Sequence, residues 1–235
     1  ILGKLIERGL PILVEKPPAA NAMEAGELAA ATSAPVMVAF NRNYTPLAQT
    51  LRSALGTGAV EFAEAHFLRR RRSDDLFVTE TGIHALALLS DLLGSGTLER
   101  AERREYGESP GRSPDWHAQM RYSSGAAAHL HFMPTAGHAV ERYQFHSRDS
   151  SIYVQMKQHY ARDGESYLEV ARVTDGGESE VQRSEFSREQ VLEHDGYLGE
   201  YRHFLKVLEE GAVPRTSLQG AVSLMELAEA IEGAW

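Results

Sequence analysis

The sequence contains no cysteine in its 235 residues. Disulfides and thiolate-bound zinc are therefore excluded, and the composition is neutral about redox compartment. It also lacks any apolar run approaching the roughly 20 residues of a membrane-spanning helix. The longest candidate, Ile83–Leu93, is interrupted by His84, Ser90 and Asp91. Positive charge is in deficit, 24 Lys and Arg against 33 Asp and Glu, for a net charge of -9. That sign opposes a phosphate backbone, so no nucleic-acid partner is expected. Internal repeats and low-complexity segments are absent. With neither a span nor an export signal in view, the expected address is cytoplasmic and no membrane partner is expected. Nor is there a complete G-x-G-x-x-G phosphate loop anywhere in these residues.

Apolar material is ample, with 43% of residues hydrophobic and 24% charged. The length fits one large domain or one and a half smaller ones. The chain opens on Ile1 rather than Met, and Ile1, Leu2, Leu5 and Ile6 fall at helical spacing before Gly9. That reads as a chain entered inside a helix, so a piece of a longer protein is expected. Residues 11–14 form a short apolar run of the kind buried on both faces of a parallel sheet. Asn21 followed by Glu24 has the form of a capping box, opening a helix with Met23, Leu28 and Ala31. A second apolar run lies at 36–40, and strand and helix alternating at short spacing is α/β patterning.

Thr45-Pro46 marks another helix start, a hydroxyl cap with proline at the first helical position; Gly56 and Gly58 mark its end. Strand-like runs follow at 60–68, 126–132, 139–146, 151–156 and 167–173. Between the first two lie a helix at 83–93 and a polar connection through Pro110 and Pro114. Pro134 with Gly137, then Gly164, then Gly176-Gly177 punctuate the later runs as antiparallel strands require. Helices at 198–208 and 218–231 close the chain, the second with Thr216 and Gln219 as its capping box. The expected fold is an α/β remnant followed by an α+β domain.

Few residues can carry chemistry. Lys16 directly follows a buried parallel strand, at the carboxyl end where such sheets bind ligands, and Pro17 biases it toward extended backbone. An ammonium there can stabilise negative charge developing on a substrate oxygen; the alternative is a solvated strand-end lysine. In Glu80-Thr81-Gly82-Ile83-His84, glycine permits a tight turn and puts His84 on the first turn of a helix. The positive dipole end there favours a neutral, basic imidazole. Glu80 can orient that ring or hold a substrate hydroxyl; the alternative is a satisfied core histidine. Arg69–Arg72 either recognises a substrate carboxylate or phosphate or forms a solvated loop balanced by Asp74 and Asp75. His129 and His131 alternate on one strand face, opposite Leu130 and Phe132. With no third ligand at a meaningful spacing, no metal is expected.

Three motifs carry a resemblance: Val14-Glu15-Lys16-Pro17-Pro18, then Ala39-Phe40-Asn41-Arg42-Asn43-Tyr44-Thr45-Pro46, then Thr81-Gly82-Ile83-His84 with Leu88-Leu89. In order and spacing they resemble the Gfo/Idh/MocA oxidoreductases, along the whole chain from Ile1 to Trp235. The resemblance implies a Rossmann domain, of which 1–44 is the C-terminal remnant. It implies next an α+β domain at 45–235, with a large, mostly antiparallel sheet, for substrate binding and oligomerisation. It implies hydride transfer between NAD or NADP and a carbinol carbon of a sugar, polyol or related compound. Lys16 matches the family lysine on the reacting oxygen, and His84 its general base, with Glu80 beside them. Glu15, Lys16, Pro17, Asn41, Arg42 and Tyr44 match segments near the cofactor. A homo-oligomer formed through the open sheet face is implied as well.

The pattern departs at two positions. Glu80 stands where the family commonly has aspartate, and Ala87 where it often has aspartate. The family's phosphate loop would precede Ile1, so these residues alone are expected to bind the cofactor weakly. These departures leave a second reading beside the enzyme, a non-catalytic binding or assembly module of the same fold.

Overall fold

The computed structural model describes residues 1–56, 58–72, 76–106, 113–157, 166–173, 177, 179–187 and 189–234. Pro110, Asp74, Asp75, Gly164, Gly176 and Trp235 lie outside the described residues. The front of the chain runs α1 (Leu2–Ile6), β1 (Ile12–Glu15), α2 (Ala22–Ala31) and β2 (Val36–Ala39). Strands β1 and β2 form a two-stranded parallel sheet in register Ile12↔Val36 to Glu15↔Ala39. Every residue of β2 is buried, whereas in β1 only Ile12 is. Asn21 caps α2 by accepting the Glu24 N–H at 2.8 Å, and the Glu24 carboxylate accepts from Ala20 N–H at 3.1 Å. Met23 is 74% exposed, so the face of α2 turned to the core is Ala22 and Ala25, packed with Leu28, rather than the Met23 side.

A 3-10 turn over Asn41–Tyr44 leads into α3 (Pro46–Leu55), where the Thr45 hydroxyl accepts the Ala48 N–H at 3.0 Å. Next come β3 (Phe62–Leu68), a π-helical turn (Val78–Gly82) and α4 (Ile83–Leu93). Two strands, β4 (Gly96–Arg104) and β5 (Asp115–Tyr122), occupy much of the stretch read from sequence as a polar connection. Their alternation is concealed by charge: β4 is an edge strand carrying Glu99, Arg100, Glu102, Arg103 and Arg104, as edge strands often do. Then follow β6 (Ala127–Met133), β7 (Val140–His146), β8 (Ser150–Met156), β9 (Ser166–Val173) and β10 (Ser179–Phe186). The last of these, polar on both faces, also escaped the sequence pattern. Helices α5 (Val191–His194), α6 (Tyr197–Glu210) and α7 (Leu218–Glu232) complete the fold. The cap of α7 is Ser217, whose hydroxyl accepts from Gly220 N–H at 3.1 Å, one residue beyond the expected Thr216.

The eight strands from β3 onward form one sheet in the order β10-β9-β8-β7-β3-β6-β5-β4. Pairing is antiparallel except at the centre, where β3 and β6 run parallel. Among the described residues, helices cover one face only. On it α7 packs against β4 and β5, and α3 against β8 and β9. The interior between them holds Phe67, Phe77, Trp116, Phe132, Leu86 and Leu88, all essentially inaccessible. Strands β3 and β6 alternate strictly between buried and half-buried residues, as a sheet with one covered face requires. Helix α7 also ties the two sheets together. Val38 N–H donates to Thr216 O at 2.7 Å, and Glu229 accepts from Ala22 N–H at the start of α2 at 2.6 Å.

Candidate active site

Lys16 emerges from the carboxyl end of β1, and Asn41 from the corresponding end of β2. These parallel strand ends lie side by side. From there Lys16 reaches the helical segment that carries His84. That segment begins earlier than the sequence suggested. Phe77 is already helical, and Glu232 at the end of α7 accepts from the N–H groups of Val78 and Thr79 at 2.6 and 3.0 Å. A carboxylate on those free N–H groups is what a helix start attracts. His84 therefore sits about two turns inside the helical run, not on its first turn. Gly82 has helical backbone, φ -64°, so no tight turn asks for it. Its role is close approach: a Cβ there would lie 2.7 Å from the ring of Phe132.

The Lys16 ammonium donates to the backbone carbonyl of Glu80, in the π-helical turn four residues before His84. Glu80 thus contributes its main chain, while its side chain is exposed. The carboxylate does not hold the histidine ring: His84 Nδ1 is buried with no hydrogen-bond partner. Phe40, the residue before the 3-10 turn, meets the His84 ring edge-on with centroids 6.0 Å apart.

Electrostatics join these groups. Burial, and after it the Arg42 charge, pushes the Lys16 ammonium down to about 8, against the opposing pull of Glu15 and Glu80. Burial, followed by Arg42, Lys16 and Arg69, holds the His84 imidazolium well below its ordinary range. The neutral ring expected from the helix dipole is present, but desolvation and neighbouring cations produce it. Both cations besides Lys16 are fixed on one carboxylate. Arg42 donates to Glu141 from Nε and Nη2 at 3.5 and 3.2 Å, and Arg69 Nη2 donates to the same group. Burial pushes the Glu141 carboxyl upward, yet the two guanidinium groups outweigh it and leave its pKa lowered.

The remaining sequence candidates divide. Asn41 spans the turn, donating to Asp195 O at 2.8 Å and accepting from Arg42 Nη1 at 2.9 Å. Tyr44 turns away to share a hydrogen bond of 3.0 Å with Thr216 and lines a different cavity, of about 600 Å³, with Arg52 and His203. Ala87 offers its carbonyl to Asn43 Nδ2 at 3.1 Å. Of the arginine run, Arg69 is buried on Glu141, Arg72 reaches the Thr81 hydroxyl at 3.4 Å, and Arg70 and Arg71 are exposed. Sequence reasoning missed Glu141 and Glu200. Glu200 is 3% exposed, and burial, with the Glu15 charge adding to it, raises its carboxyl to about 8. A lone glutamate at a core-facing strand position was the only available signal for the first. On the opposite face of the sheet, His129 and His131 are half-buried behind the inaccessible Leu130 and Phe132, as expected. Burial, then His66 and His117, hold His131 down to about 4.

Residues 64–233 match the model of an oxidoreductase family, C-terminal alpha/beta domain, of the Gfo/Idh/MocA group. A curated protein of Salmonella typhimurium, YceM, which bears the name oxidoreductase, is 26% identical over 98% of this chain and 72% of its own length. Among solved structures, UDP-N-acetylglucosamine 3-dehydrogenase GnnA from Acidithiobacillus ferrooxidans superposes with a TM-score of 0.79 at 18% identity. The alignment spans 99% of this chain and 73% of that one. Levoglucosan dehydrogenase in complex with NADH and L-sorbose gives 0.78 at 18% identity, over 98% and 72%. KijD10, a 3-ketoreductase from Actinomadura kijaniata in complex with TDP-benzene and NADP, gives 0.75 at 16%, over 99% and 72%.

Proposed function

The chain belongs to the Gfo/Idh/MocA oxidoreductase family, and from that premise we propose an NAD(P)-dependent enzyme acting on a carbinol or keto carbon of a sugar, polyol or related compound. In this reading residues 1–44 belong to the dinucleotide-binding domain, and 45–235 bind substrate and assemble subunits through the open sheet face. The carrying observation is the convergence of Lys16 and an unpartnered, neutral His84 at the carboxyl ends of a parallel strand pair. A buried ring nitrogen without a partner typically costs about 1–3 kcal/mol, which a protein tolerates where a ligand completes the bond.

The residues present fit the nicotinamide end of such a cofactor. Glu15-Lys16-Pro17 and Asn41-Arg42 leave adjacent strand ends, where α/β sheets take dinucleotides; Tyr44, turned to Thr216, does not add to that fit. The glycine-rich cradle for a pyrophosphate is not among these residues. When bound, the cofactor supplies the hydride acceptor or donor. Lys16 donates a hydrogen bond to the substrate oxygen and stabilises the negative charge that grows there. His84, held neutral, takes the hydroxyl proton on a ring nitrogen in the direction of oxidation and returns it in reduction. Arg42, pinned by Glu141, lowers the proton affinity of both without needing to touch substrate.

Activities in the names of the structural relatives support the same chemistry, a UDP-N-acetylglucosamine 3-dehydrogenase, a levoglucosan dehydrogenase and a 3-ketoreductase. Steady-state kinetics with NAD+ and NADP+ against a panel of sugars and polyols tests the proposal. Cofactor-dependent turnover that collapses in Lys16→Ala is the expected result. Unchanged turnover in that variant removes the assigned role. No turnover with any substrate leaves the assembly-module reading in its place.

A further inference from the structure

The uncovered face of the eight-stranded sheet carries a second cluster of chemically capable side chains. In the parallel pair, His66 of β3 sits opposite His131 of β6, and in the antiparallel pair His131 sits opposite His117 of β5. Because strand neighbours in register point to the same face, three imidazoles line up across three adjacent strands. Glu64, two residues before His66, shares that face. The His66 and His131 rings stack with centroids 4.7 Å apart, and His66 Nε2 lies 4.0 Å from a Glu64 carboxylate oxygen. One ligand atom from each of Glu64, His66 and His131 falls within 4.8 Å of the other two. All three are half-buried in the single chain, and the strands hold their backbones fixed.

We propose that Glu64, His66 and His131 form a binding site for a divalent transition-metal ion of the zinc class, on the sheet face opposite the Lys16–His84 crevice. Two imidazoles and a carboxylate with an open fourth position are a ligand set that suits zinc. Such an ion sits about 2.0–2.2 Å from each ligand atom, which draws the three to within about 4 Å of one another. Small rotations of half-exposed side chains accomplish that closure. The fourth side chain strengthens the case independently. His117 Nδ1 and His131 Nδ1 lie 2.7 Å apart, a hydrogen bond. With His131 donating, its Nε2 keeps the lone pair that a metal requires, and ligating histidines are commonly held in this way by a partner on the other ring nitrogen. His117 is then a positioning residue. No thiolate competes for the ion, since the chain has no cysteine.

The test is calorimetric titration of the chain with zinc chloride, in a weakly coordinating buffer. Saturable binding of one ion is expected, lost in the His66→Ala/His131→Ala double variant and weakened about 10- to 100-fold in His117→Ala. His138→Ala, at an exposed histidine away from the cluster, should bind as the unmodified chain does. Unchanged affinity in the double variant, or no saturable binding by the unmodified chain, overturns the proposal. Thermal melts establish that the variants fold. Should the double variant not fold, cobalt(II) added to the unmodified chain decides. Visible absorption of a low-coordinate nitrogen–oxygen site, reduced in Glu64→Gln, supports the site, and its absence overturns it. Neither readout depends on turnover, so failure here leaves the proposed oxidoreductase chemistry intact, and the reverse.

Discussion

One sheet in this protein presents two unlike surfaces. Along the row of residues that runs across β5, β6, β3 and β7, the covered face shows Trp116, Phe132, Phe67 and Glu141. One residue away, the open face shows His117, His131, His66 and Arg142. The covered face is apolar until its end, where Glu141 is fully inaccessible and clamped by Arg42 and Arg69 beside the candidate active site. The open face is polar along the same row, half-buried or exposed, with ion pairs such as Arg121–Glu99 open to solvent. The difference teaches how burial changes the value of one chemistry. On the covered side burial, and after it a few charges, lowers the pKa of Lys16 and His84. On the open side similar charges are more exposed and more strongly screened.

Substitutions can break or sharpen that contrast. The largest expected effect is in the crevice: Lys16→Ala and His84→Ala should each lower kcat by about 10²- to 10⁴-fold. The double variant should lose less than the product, because both groups serve one oxygen. His129→Ala on the open face should leave kcat unchanged in the same assay, and a comparable loss there would erase the functional distinction between the faces.

Next in size is the buried ion cluster. Glu141→Gln removes the carboxylate charge that Arg42 and Arg69 share and should destabilise the fold by about 3–5 kcal/mol in denaturant melts. Removing the exposed partner in Glu99→Gln should cost within about 1 kcal/mol. Because the folded-state pKa of Glu141 lies below its unfolded value, its contribution is full above the ordinary carboxylate range. It fades as pH falls through the folded value, so the gap between wild type and variant should narrow in acid.

Gly82→Ala drives a methyl against Phe132 from the covered side and should cost about 1–3 kcal/mol. Gly137→Ala, with open space around it, should stay within about 0.5 kcal/mol by the same melts. A carboxyl with the opposite sign to Glu141 lies at Glu200, facing Glu15 and Arg42 and raised to about 8 in the fold. Between the ordinary carboxylate range and about pH 8 the folded state holds the extra proton, so stability should decline as pH rises through that window. Glu200→Gln should flatten the slope and gain about 1–3 kcal/mol above pH 8, the scale of relieving a poorly paired buried group. Smallest of all is Glu80→Asp. Lys16 is held by the main chain of residue 80, so kcat should remain within about tenfold; a larger loss would return the role to the carboxylate.

Much of the site was legible because it is local. Lys16-Pro17 after an apolar run, Asn41 to Pro46, and His84 in a helical stretch are short motifs whose strand or helix context follows from neighbouring residues. The misreadings share a cause as well. Gly82 looks like a turn glycine until Phe132, 50 residues away, is seen to need the space. Strands β4 and β10 hide because edge and solvent-facing positions accept charge, which erases the alternation on which strand reading depends.

By itself, then, the sequence determined the class of fold, the helix capped at Thr45, the apolar faces of the central strands, and the lysine and histidine that invite a function. These are properties of periodicity and of neighbours a few residues apart. Only the tertiary structure decided that Glu80 meets Lys16 through its carbonyl, that Arg42 and Arg69 share Glu141, and that burial and nearby cations hold the His84 imidazolium well below its ordinary range. It alone brought Glu64 and His66 to His131 and His117. Strand order and register set those meetings, and both arise from long-range pairing across the sheet, which no spacing along the chain encodes.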